Sequence, residues 1–181
     1  MRPSARPTAV AALRVAGCRF PVASGGRSAG MQINQFTNYA LRILMYCAIH
    51  DDRAARTSEI ARAYGISENH LTKVAQQLAA GGYLRTARGR GGGLRLDRDP
   101  HDIVVGEVVR WTEGTLKLVE CFDHDTNTCP LAPACRFRQA LHRALEAFFL
   151  VLDSYTLADL VTDRGTLAAL LERPVAGAAP H

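Results

Sequence analysis

Apolar residues spaced three and four positions apart run through much of this chain and predict a mainly α-helical protein. Such spacing covers residues 37–49, which we expect to form a helix with a wide buried face. Further helices are predicted at 103–111 and 137–155, followed by two more at 157–162 and 163–172. Strands are expected only in one short stretch in the middle of the chain.

Two short helices joined by a tight turn are predicted just before that stretch. The first begins at Thr57 or Ser58, both good N-cap residues, and stops at Gly65. The second is capped by Ser67 and ends at Gly81. The residues of the second helix that we expect to face the core are Leu71, Val74, Ala75 and Leu78. Two helices with a glycine-containing turn between them are typical of a helix-turn-helix.

The second of these helices carries polar side chains opposite its apolar face. A projection at 100° per residue places Asn69, Lys73 and Gln76 near the opposite pole. Asn and Gln pair with adenine in the major groove, and Lys meets guanine or phosphate. An ordinary solvated face would look the same, so this face alone does not establish DNA binding. The candidate DNA-binding residues of this helix are Ser67, Asn69, His70, Lys73, Gln76 and Gln77.

A glycine-rich basic segment follows directly and predicts a β-hairpin. Residues 83–87 are predicted as one strand, 88–93 as a flexible turn and 94–96 as the returning strand. Arg88 and Arg90 in the turn can enter a minor groove or neutralise phosphates. An isolated Arg-Gly run would instead suggest a disordered linker. Its position between two strands, directly after the helix pair, favours a winged helix-turn-helix.

Charge is distributed unevenly, which limits the part of the chain that we expect to meet a polyanion. Residues 1–30 hold five Arg and no acid, and residues 31–98 hold ten Lys or Arg against five acids. Residues 99–181 hold seven Lys or Arg against twelve acids. The net charge of +5 therefore comes from adding residues 1–30 to a neutral remainder. Only the first half of that remainder is predicted to contact nucleic acid.

The 181 residues divide by composition into five segments. Residues 1–30 resemble an organellar transit peptide in composition, or result from an upstream translation start with Met31 as the functional beginning; we expect them to be disordered. No stretch approaches the roughly 20 apolar residues of a membrane span, so a cytoplasmic protein is expected. The remaining segments are 31–100 (winged helix-turn-helix), 101–136 (helix and cysteine loop), 137–163 (dimerisation helix and a short helix) and 164–181 (tail).

The predicted helix at 137–155 is about 28 Å long at 1.5 Å per residue. Its apolar stripe consists of Phe137, Leu141, Ala144, Leu145, Phe148, Val151, Leu152 and Tyr155. So long a stripe on a small domain must be covered. A second copy of the same helix would make a homodimer, and packing against residues 105–111 of the same chain is the alternative.

Three of the five cysteines cluster with the spacing C-x7-C-x5-C, at Cys121, Cys129 and Cys135. Cys18 lies within residues 1–30, and Cys47 is expected to be an inert core residue. Without a secretory signal, a metal or redox role is favoured over disulfides. No C-x2-4-C knuckle typical of structural zinc is present. Three thiolates on a loop suit an iron–sulfur cluster with a fourth ligand from elsewhere, although unrelated thiols in an acidic loop would give the same spacing.

Several segments together resemble the NsrR family of nitric-oxide-sensing iron–sulfur repressors. The resemblance runs from Met31 to about Val161, with its motifs in matching order and spacing. The related regulator IscR has a histidine ligand three residues after its last cysteine, where this chain has Arg138, which favours the NsrR branch. The matching segments are MQI (31–33), FTNYALR (36–42), SENHLTKV (67–74), GYL (82–84), RGRGGGLRL (88–96), the three cysteines and YTLADLV (155–161).

The resemblance implies a homodimer that binds operator DNA while a 4Fe-4S or 2Fe-2S cluster is held by Cys121, Cys129 and Cys135, and that releases the DNA when nitric oxide attacks the cluster. Relatives commonly have Asp where this chain has Asn38, and that Asp can reach across the dimer as the fourth ligand. An amide oxygen is a poor iron ligand. Asp123, His124, Asp125, a small thiol or water are the alternatives, and Asn38 is still expected near the cluster.

Other functions remain open on the residues alone. A regulator of cluster assembly or of general redox state, and a zinc- or thiol-based DNA-binding regulator, would share the same motifs. A redox or metal-storage protein without a DNA role is the alternative from another class. An enzyme is not expected, because the chain has no deaminase pattern, phosphate-binding loop or nucleophile elbow.

Overall fold

A computed structural model describes residues 32–87, 92–114, 116, 118–123 and 125–173. Short 3-10 helices lie at Pro100–Asp102, Glu120–Phe122 and Ala132–Ala134. The main elements are α1 (Gln35–Ile49), α2 (Thr57–Tyr64), α3 (Glu68–Ala80), β1 (Leu84–Ala87), β2 (Gly93–Leu96), α4 (Val105–Glu113), α5 (Arg136–Asp153), α6 (Leu157–Leu160) and α7 (Arg164–Leu171). The prediction of a mainly helical protein with a small β-hairpin is confirmed.

Helix α1 is the centre of the core, with α3, α4, α6 and α7 packed against it. Its side chains Ile43 and Leu44 are fully buried. The four residues of α3 predicted to face inward are its buried residues, so its polar face is turned outward. Thr37 is a buried polar residue of α1, and its hydroxyl donates to Thr112 Oγ1 of α4 at 2.8 Å.

The helix pair α2–α3 differs from the prediction in one detail. Helix α2 ends before Gly65 as expected, but Thr57 is its first helical residue and Arg56 occupies the N-cap position, so the predicted cap at Thr57 or Ser58 is wrong. The Glu59 carboxylate accepts from the Arg56 backbone N–H at 3.2 Å and pairs with Arg53 at 2.6 Å. This carboxylate thus makes the bond from the third helical residue back to the N-cap N–H that is typical of a capping box. Ser67 precedes α3 as predicted, without a capping bond from its side chain.

Strands β1 and β2 pair antiparallel, with Leu84 opposite Leu96 and Arg85 opposite Arg95. A third short segment joins them, because Ala55 and Leu94 exchange backbone hydrogen bonds of 2.9 and 2.8 Å. A Cβ on Gly93 would lie 2.6 Å from the Ala55 carbonyl oxygen, so this glycine permits the close approach of that segment. The turn with Arg88 and Arg90 lies outside the described residues.

A tight joint connects α4 with the end of α5. The Val105 N–H donates to the Tyr155 carbonyl at 2.9 Å, and the Leu157 N–H donates to the Ile103 carbonyl at 2.8 Å. This pairing delays the start of α4 to Val105, two residues after the predicted start. A Cβ on Gly106 would lie 1.9 Å from Asp153 Oδ1 and 3.1 Å from the Asp153 backbone N, so glycine lets the two helices approach this closely without displacing the Asp153 side chain.

The remaining predictions for the C-terminal part are close to the structure. Helix α5 begins and ends within two residues of the predicted bounds, and a capping box of Thr156 and Asp159 starts α6. Within the described ranges, no helix is both long and apolar enough to cross a membrane. Residues 1–30 and the part of the predicted tail from residue 174 onward lie outside those ranges, while α7 occupies Arg164–Leu171 of that tail.

Candidate nucleic-acid interface and thiol site

Helix α3 presents a continuous polar surface to solvent. Asn69, His70, Lys73, Gln76 and Gln77 are all exposed on it, as the projection predicted. Ser67 is partly buried at the start of the helix. This surface carries bidentate amides and one flexible cation, which are the donor and acceptor types that read base edges in a major groove.

The described part of the wing adds an arginine that the sequence analysis missed. Arg85 is exposed on β1, directly opposite Arg95. Arg95 is held by the carbonyls of Asp51 and Asp52 at 3.1 and 3.3 Å, so its guanidinium anchors β2 to the α1–α2 connection. Like charges opposite each other on neighbouring strands are unfavourable unless an anion lies beside them. Only the strand register reveals this pair, because the sequence shows two arginines ten residues apart.

Trp111 joins the wing to α4. Its indole lies 5.4 Å from the Tyr83 ring and 6.2 Å from the Phe36 ring, measured between centroids. A Cβ on Gly81 would lie 2.7 Å from Trp111 Cζ2, so the indole packs directly against the end of α3. Trp111 is thus a packing residue, and α4 supports both α3 and the wing.

The beginning of α1 is fastened to the end of α4 by a polar network. The Asn34 side chain accepts from the Thr37 N–H at 2.7 Å, and the Asn34 N–H donates to Glu113 Oε1 at 2.8 Å. Asn38, the position of the candidate fourth ligand, lies one turn further along α1. It is exposed in a polar cleft that it shares with Tyr39 and Arg42.

The three clustered cysteines lie between α4 and α5. Cys121 is in the 3-10 turn Glu120–Phe122, and Cys135 is the N-cap of α5, where its Sγ accepts from the Arg138 N–H at 3.4 Å. All three thiols are free and partly buried. The ring of Phe122 stacks on His142 with centroids 4.0 Å apart, which ties the Cys121 turn to α5.

Cys47 is also a free thiol, but it is fully buried, whereas the other three are only partly buried. It is buried under β2, and burial raises the pKa of its thiol to about 12. Its Sγ lies 4.0 Å from the Leu94 carbonyl oxygen. A thiol with so high a pKa stays protonated at neutral pH and is a poor nucleophile and metal ligand, in keeping with the expected inert role.

The residue types at the three thiol positions suit an iron–sulfur cluster, whereas their positions do not form a ready-made site. Among the described residues, no three Cys, His, Asp or Glu side chains come together as a ready-made metal site. Asp123 is occupied in part by the Asp125 N–H at 3.3 Å, and His124 lies outside the described residues. However, three half-buried thiols are the ligand type that iron–sulfur clusters use.

A buried nitrogen of Arg138, the residue whose backbone N–H contacts Cys135 Sγ, also fits an anionic group. Arg138 Nε is buried without a hydrogen-bond partner, the one such side-chain atom in the part of the chain that the structure describes. Buried N–H groups are normally satisfied, so an acceptor is missing here. Thiolates and cluster sulfides are acceptors of this kind. The donor set therefore fits the group, although the loop does not gather the thiols.

One side of the apolar stripe of α5 faces α4 and the cysteine loop, and the other side is exposed to solvent. Leu141, Leu145 and Phe148 line an apolar cavity of about 460 Å³ together with Val109 of α4 and Leu118 of the cysteine loop, and Ala144 lies at its border with the exposed side. The predicted alternative of packing within the chain thus accounts for part of the stripe. The exposed side is a row with alternating spacing of three and four residues: Phe137, Ala140, Ala144, Ala147 and Val151. We call this row the α5 seam.

Comparisons with known proteins agree with this arrangement. A sequence profile of the Rrf2 family, described as "Iron-dependent Transcriptional regulator", matches residues 33–163. The HTH-type transcriptional regulator NsrR of Geobacillus kaustophilus is 51% identical over 143 residues, which cover 78% of this chain and 97% of that protein. NsrR of Bacillus subtilis is 45% identical over 143 residues, which cover 78% of this chain and 98% of that protein.

Solved structures of two regulators have the same fold. CymR, the global cysteine regulator of Bacillus subtilis, superposes with a TM-score of 0.61 at 28% identity, covering 74% of this chain and 98% of that one. IscR of T. potens superposes with a TM-score of 0.60 at 27% identity, covering 74% and 88%. The chain therefore belongs to the Rrf2 family of winged-helix transcriptional regulators, and its resemblance to the NsrR members of that family is confirmed.

Proposed function

We propose that this protein is a homodimeric repressor that binds operator DNA through α3 and the wing and responds to nitric oxide through an iron–sulfur cluster. The observation that carries the proposal is the position of the three free, half-buried thiols, between the helix that supports the reading surface and the helix that exposes an apolar seam. The names of the NsrR relatives support regulation of transcription, and the description of the family supports iron dependence.

In the proposed complex, the exposed polar face of α3 lies in a major groove. Asn69 and Gln76 read base edges, and Lys73 contacts guanine or phosphate. The wing, with Arg88 and Arg90, lies along the adjacent phosphates or minor groove. Arg85 adds a phosphate contact from β1 that the hairpin register makes available.

The α5 seam supports the homodimer. Apolar residues that alternate at three and four positions over four turns are the pattern by which one helix packs along another, and the alanines at its centre allow close approach. Two α5 helices paired along this seam would fix two copies of α3. The half-sites that they read must lie about 34–36 Å apart for both helices to enter successive major grooves.

The cysteine loop is in a position to change that separation. It begins directly after Glu113, which holds the start of α1, and it ends at Cys135, which caps α5. A cluster held by Cys121, Cys129 and Cys135 would supply iron that reacts with nitric oxide. A shift of this loop by a few ångströms would move α5 relative to α4 and disturb the spacing of the two α3 helices. The fourth ligand stays open between Asn38 of a second copy, Asp123 and His124.

Anaerobic purification followed by nitric oxide addition tests the proposal. We expect a coloured protein with iron and acid-labile sulfide, operator binding at fixed salt, and loss of both colour and binding when nitric oxide is added. Colourless protein with stoichiometric zinc would favour a zinc- or thiol-based regulator. Equal operator affinity of the cluster-free and cluster-loaded protein would disprove control by the cluster.

The reading surface is tested separately by the kind of defect that each substitution causes. Lys73→Ala and Arg85→Ala should weaken binding to all sequences and lower the slope of log K against log salt by about 0.9 for each lost phosphate contact. Asn69→Ala should instead change the preferred sequence with little change in that slope. Arg143→Ala on α5 removes an exposed charge far from this surface and is the matched control. Unchanged operator binding in all the surface variants would rule out this surface.

A further inference from the structure

We infer that Arg138 is the cationic donor that neutralises the anionic group held by the three loop thiols, and that it acts through its unpartnered Nε. The inference rests on the proposed function, because it assigns a role toward the cluster site. Arg138 is thus a positioning residue and not a ligand, since an arginine stays protonated and offers donors only.

Both the backbone and the side chain of Arg138 contact the cysteine loop. Its backbone N–H donates to Cys135 Sγ at 3.4 Å, and its Nη1 donates to the Ala132 carbonyl at 3.4 Å. The Nη1 bond places the guanidinium beside the 3-10 turn Ala132–Ala134, which immediately precedes the third thiol. This bond is long, so it satisfies the guanidinium weakly.

The Nε of this guanidinium is buried and lacks an acceptor. Carboxylates are the usual partners of a buried arginine, yet none forms an ion pair with Arg138 among the described residues. An arginine kept half-buried without a carboxylate partner has a cost that a bound anion would remove. The unmet donor therefore indicates the sign of the group that belongs beside it.

The charge of the loop explains why a cation is needed there. Residues 115–135 contain Glu120, Asp123 and Asp125 but a single basic residue, Lys117. Three thiolates add further negative charge to this segment when they bind metal, and burying uncompensated charge is unfavourable. Arg136 and Arg143, the neighbouring arginines on α5, are exposed. Of these three arginines of α5, Arg138 is the one held in contact with the loop.

Retention of the cluster under chelation tests the role of Arg138 without any measurement of DNA binding. The full chain is reconstituted anaerobically, iron and sulfide are counted per chain, and the decay of visible absorbance is followed in EDTA. Substitution of residues that support metal ligands typically costs 10–100-fold in affinity, and we expect Arg138→Gln to lose iron faster by about that factor. Arg138→Lys should be intermediate, because it keeps the charge without the Nε donor.

Arg143→Gln is the matched control, since it removes the same charge from an exposed position on the same helix. It should lose iron at the wild-type rate. The reduction potential of the cluster in Arg138→Gln should also become more negative, because hydrogen bonds to cluster sulfurs favour the reduced state. The cluster-free variant should melt no lower than the wild type, since an unsatisfied buried donor has been removed.

Three outcomes would overturn the inference: iron loss from Arg138→Gln at the wild-type rate, equally fast loss from Arg143→Gln, or a fall in the melting temperature of the cluster-free variant that accounts for its faster loss. Failure of the wild type itself to take up iron and sulfide would refute the proposed function, and the role of Arg138 with it. The wild-type measurement separates that result from failure of the Arg138 inference alone.

Discussion

Two parts of this protein differ in how many of their helical residues are buried within the chain. The reading module, residues 35–113 together with α6 and α7, is built around α1, which buries eight of its 15 residues. The α5 segment, residues 118–153, ends in a helix of 18 residues, all of which the structure describes, and none of these is buried. Phe137 and Leu150 of α5 are 66% and 74% exposed.

The difference separates a part that is packed within a single chain from a part whose apolar surface is left exposed. The reading module is held together by its own core and presents its polar α3 face without help. The α5 segment is attached by a tight joint at its end, while its seam is exposed to solvent and its three thiols are free. A second chain and a metal group are the partners proposed above for these two features, so the α5 segment is the part of the molecule where we expect assembly and signalling to act.

The largest effect should separate the two parts by a pair of identical substitutions. Leu78→Ala on α3 removes a fully buried side chain and should lower the free energy of unfolding by about 2–5 kcal/mol. Leu150→Ala on α5 removes a mostly exposed one and should cost less than about 0.5 kcal/mol. Urea unfolding at several protein concentrations measures both. Similar costs would show that the α5 segment has a core of its own.

The joint between the two parts should be the next most sensitive position. Gly106→Ala places a methyl group 1.9 Å from Asp153 Oδ1 and should destabilise by about 1–3 kcal/mol through overpacking. Urea unfolding of Gly106→Ala, Asp153→Ala and the double variant measures the coupling. The double variant should lose less than the sum of the single losses, because the second substitution removes the clash. Additive losses would mean that α4 and α5 tolerate separation at this point.

A charge placed on the seam should weaken self-association without unfolding the chain. Val151→Glu lies on the α5 seam, whereas Leu150 is even more solvent-exposed, and Leu150→Glu points about 100° away around the helix. We expect Val151→Glu to raise the dissociation constant at least about tenfold, equivalent to about 1.4 kcal/mol. Sedimentation over a concentration series measures this constant. A larger effect from Leu150→Glu would place the interface on another face of α5.

Sequence periodicity was sufficient where a pattern is repeated along one helix. The buried residues of α3 and its exposed polar face followed from spacing alone. The cap of α2 did not, because Arg53 positions Glu59 from outside the helix. The start of α4 also depended on a distant partner, since Val104 pairs with Thr156.

The candidate site was predictable to the same extent. The cysteine spacing indicated a loop with thiol chemistry, but the unpartnered Arg138 Nε and the opposition of Arg85 to Arg95 exist only in three dimensions. The apolar stripe of α5 was predicted as one feature. Its division into a side covered by α4 and an exposed seam depends on the angle at which α5 leaves the joint, which no local pattern encodes.

The smallest expected effect concerns the ion pair at the joint, and it depends on pH. Arg110 donates to both carboxylate oxygens of Asp153 at 2.7 and 2.5 Å and lowers the pKa of that carboxyl below its ordinary value. A depressed folded-state pKa gives stability that is present above the unfolded pKa of about 3.9 and is lost as pH falls through the folded value.

Because both side chains are more than one-third exposed, the pair should contribute only about 0.2–1 kcal/mol. Asp153→Asn should therefore destabilise slightly at pH 7 and match the wild type near pH 2, as measured by urea unfolding at both values. Glu172→Gln, at an exposed carboxylate after α7, is the matched control and should change stability at neither pH. A deficit of Asp153→Asn that persists at pH 2 would show that the Asp153 carboxylate supports the joint by packing against Gly106 and not by its charge.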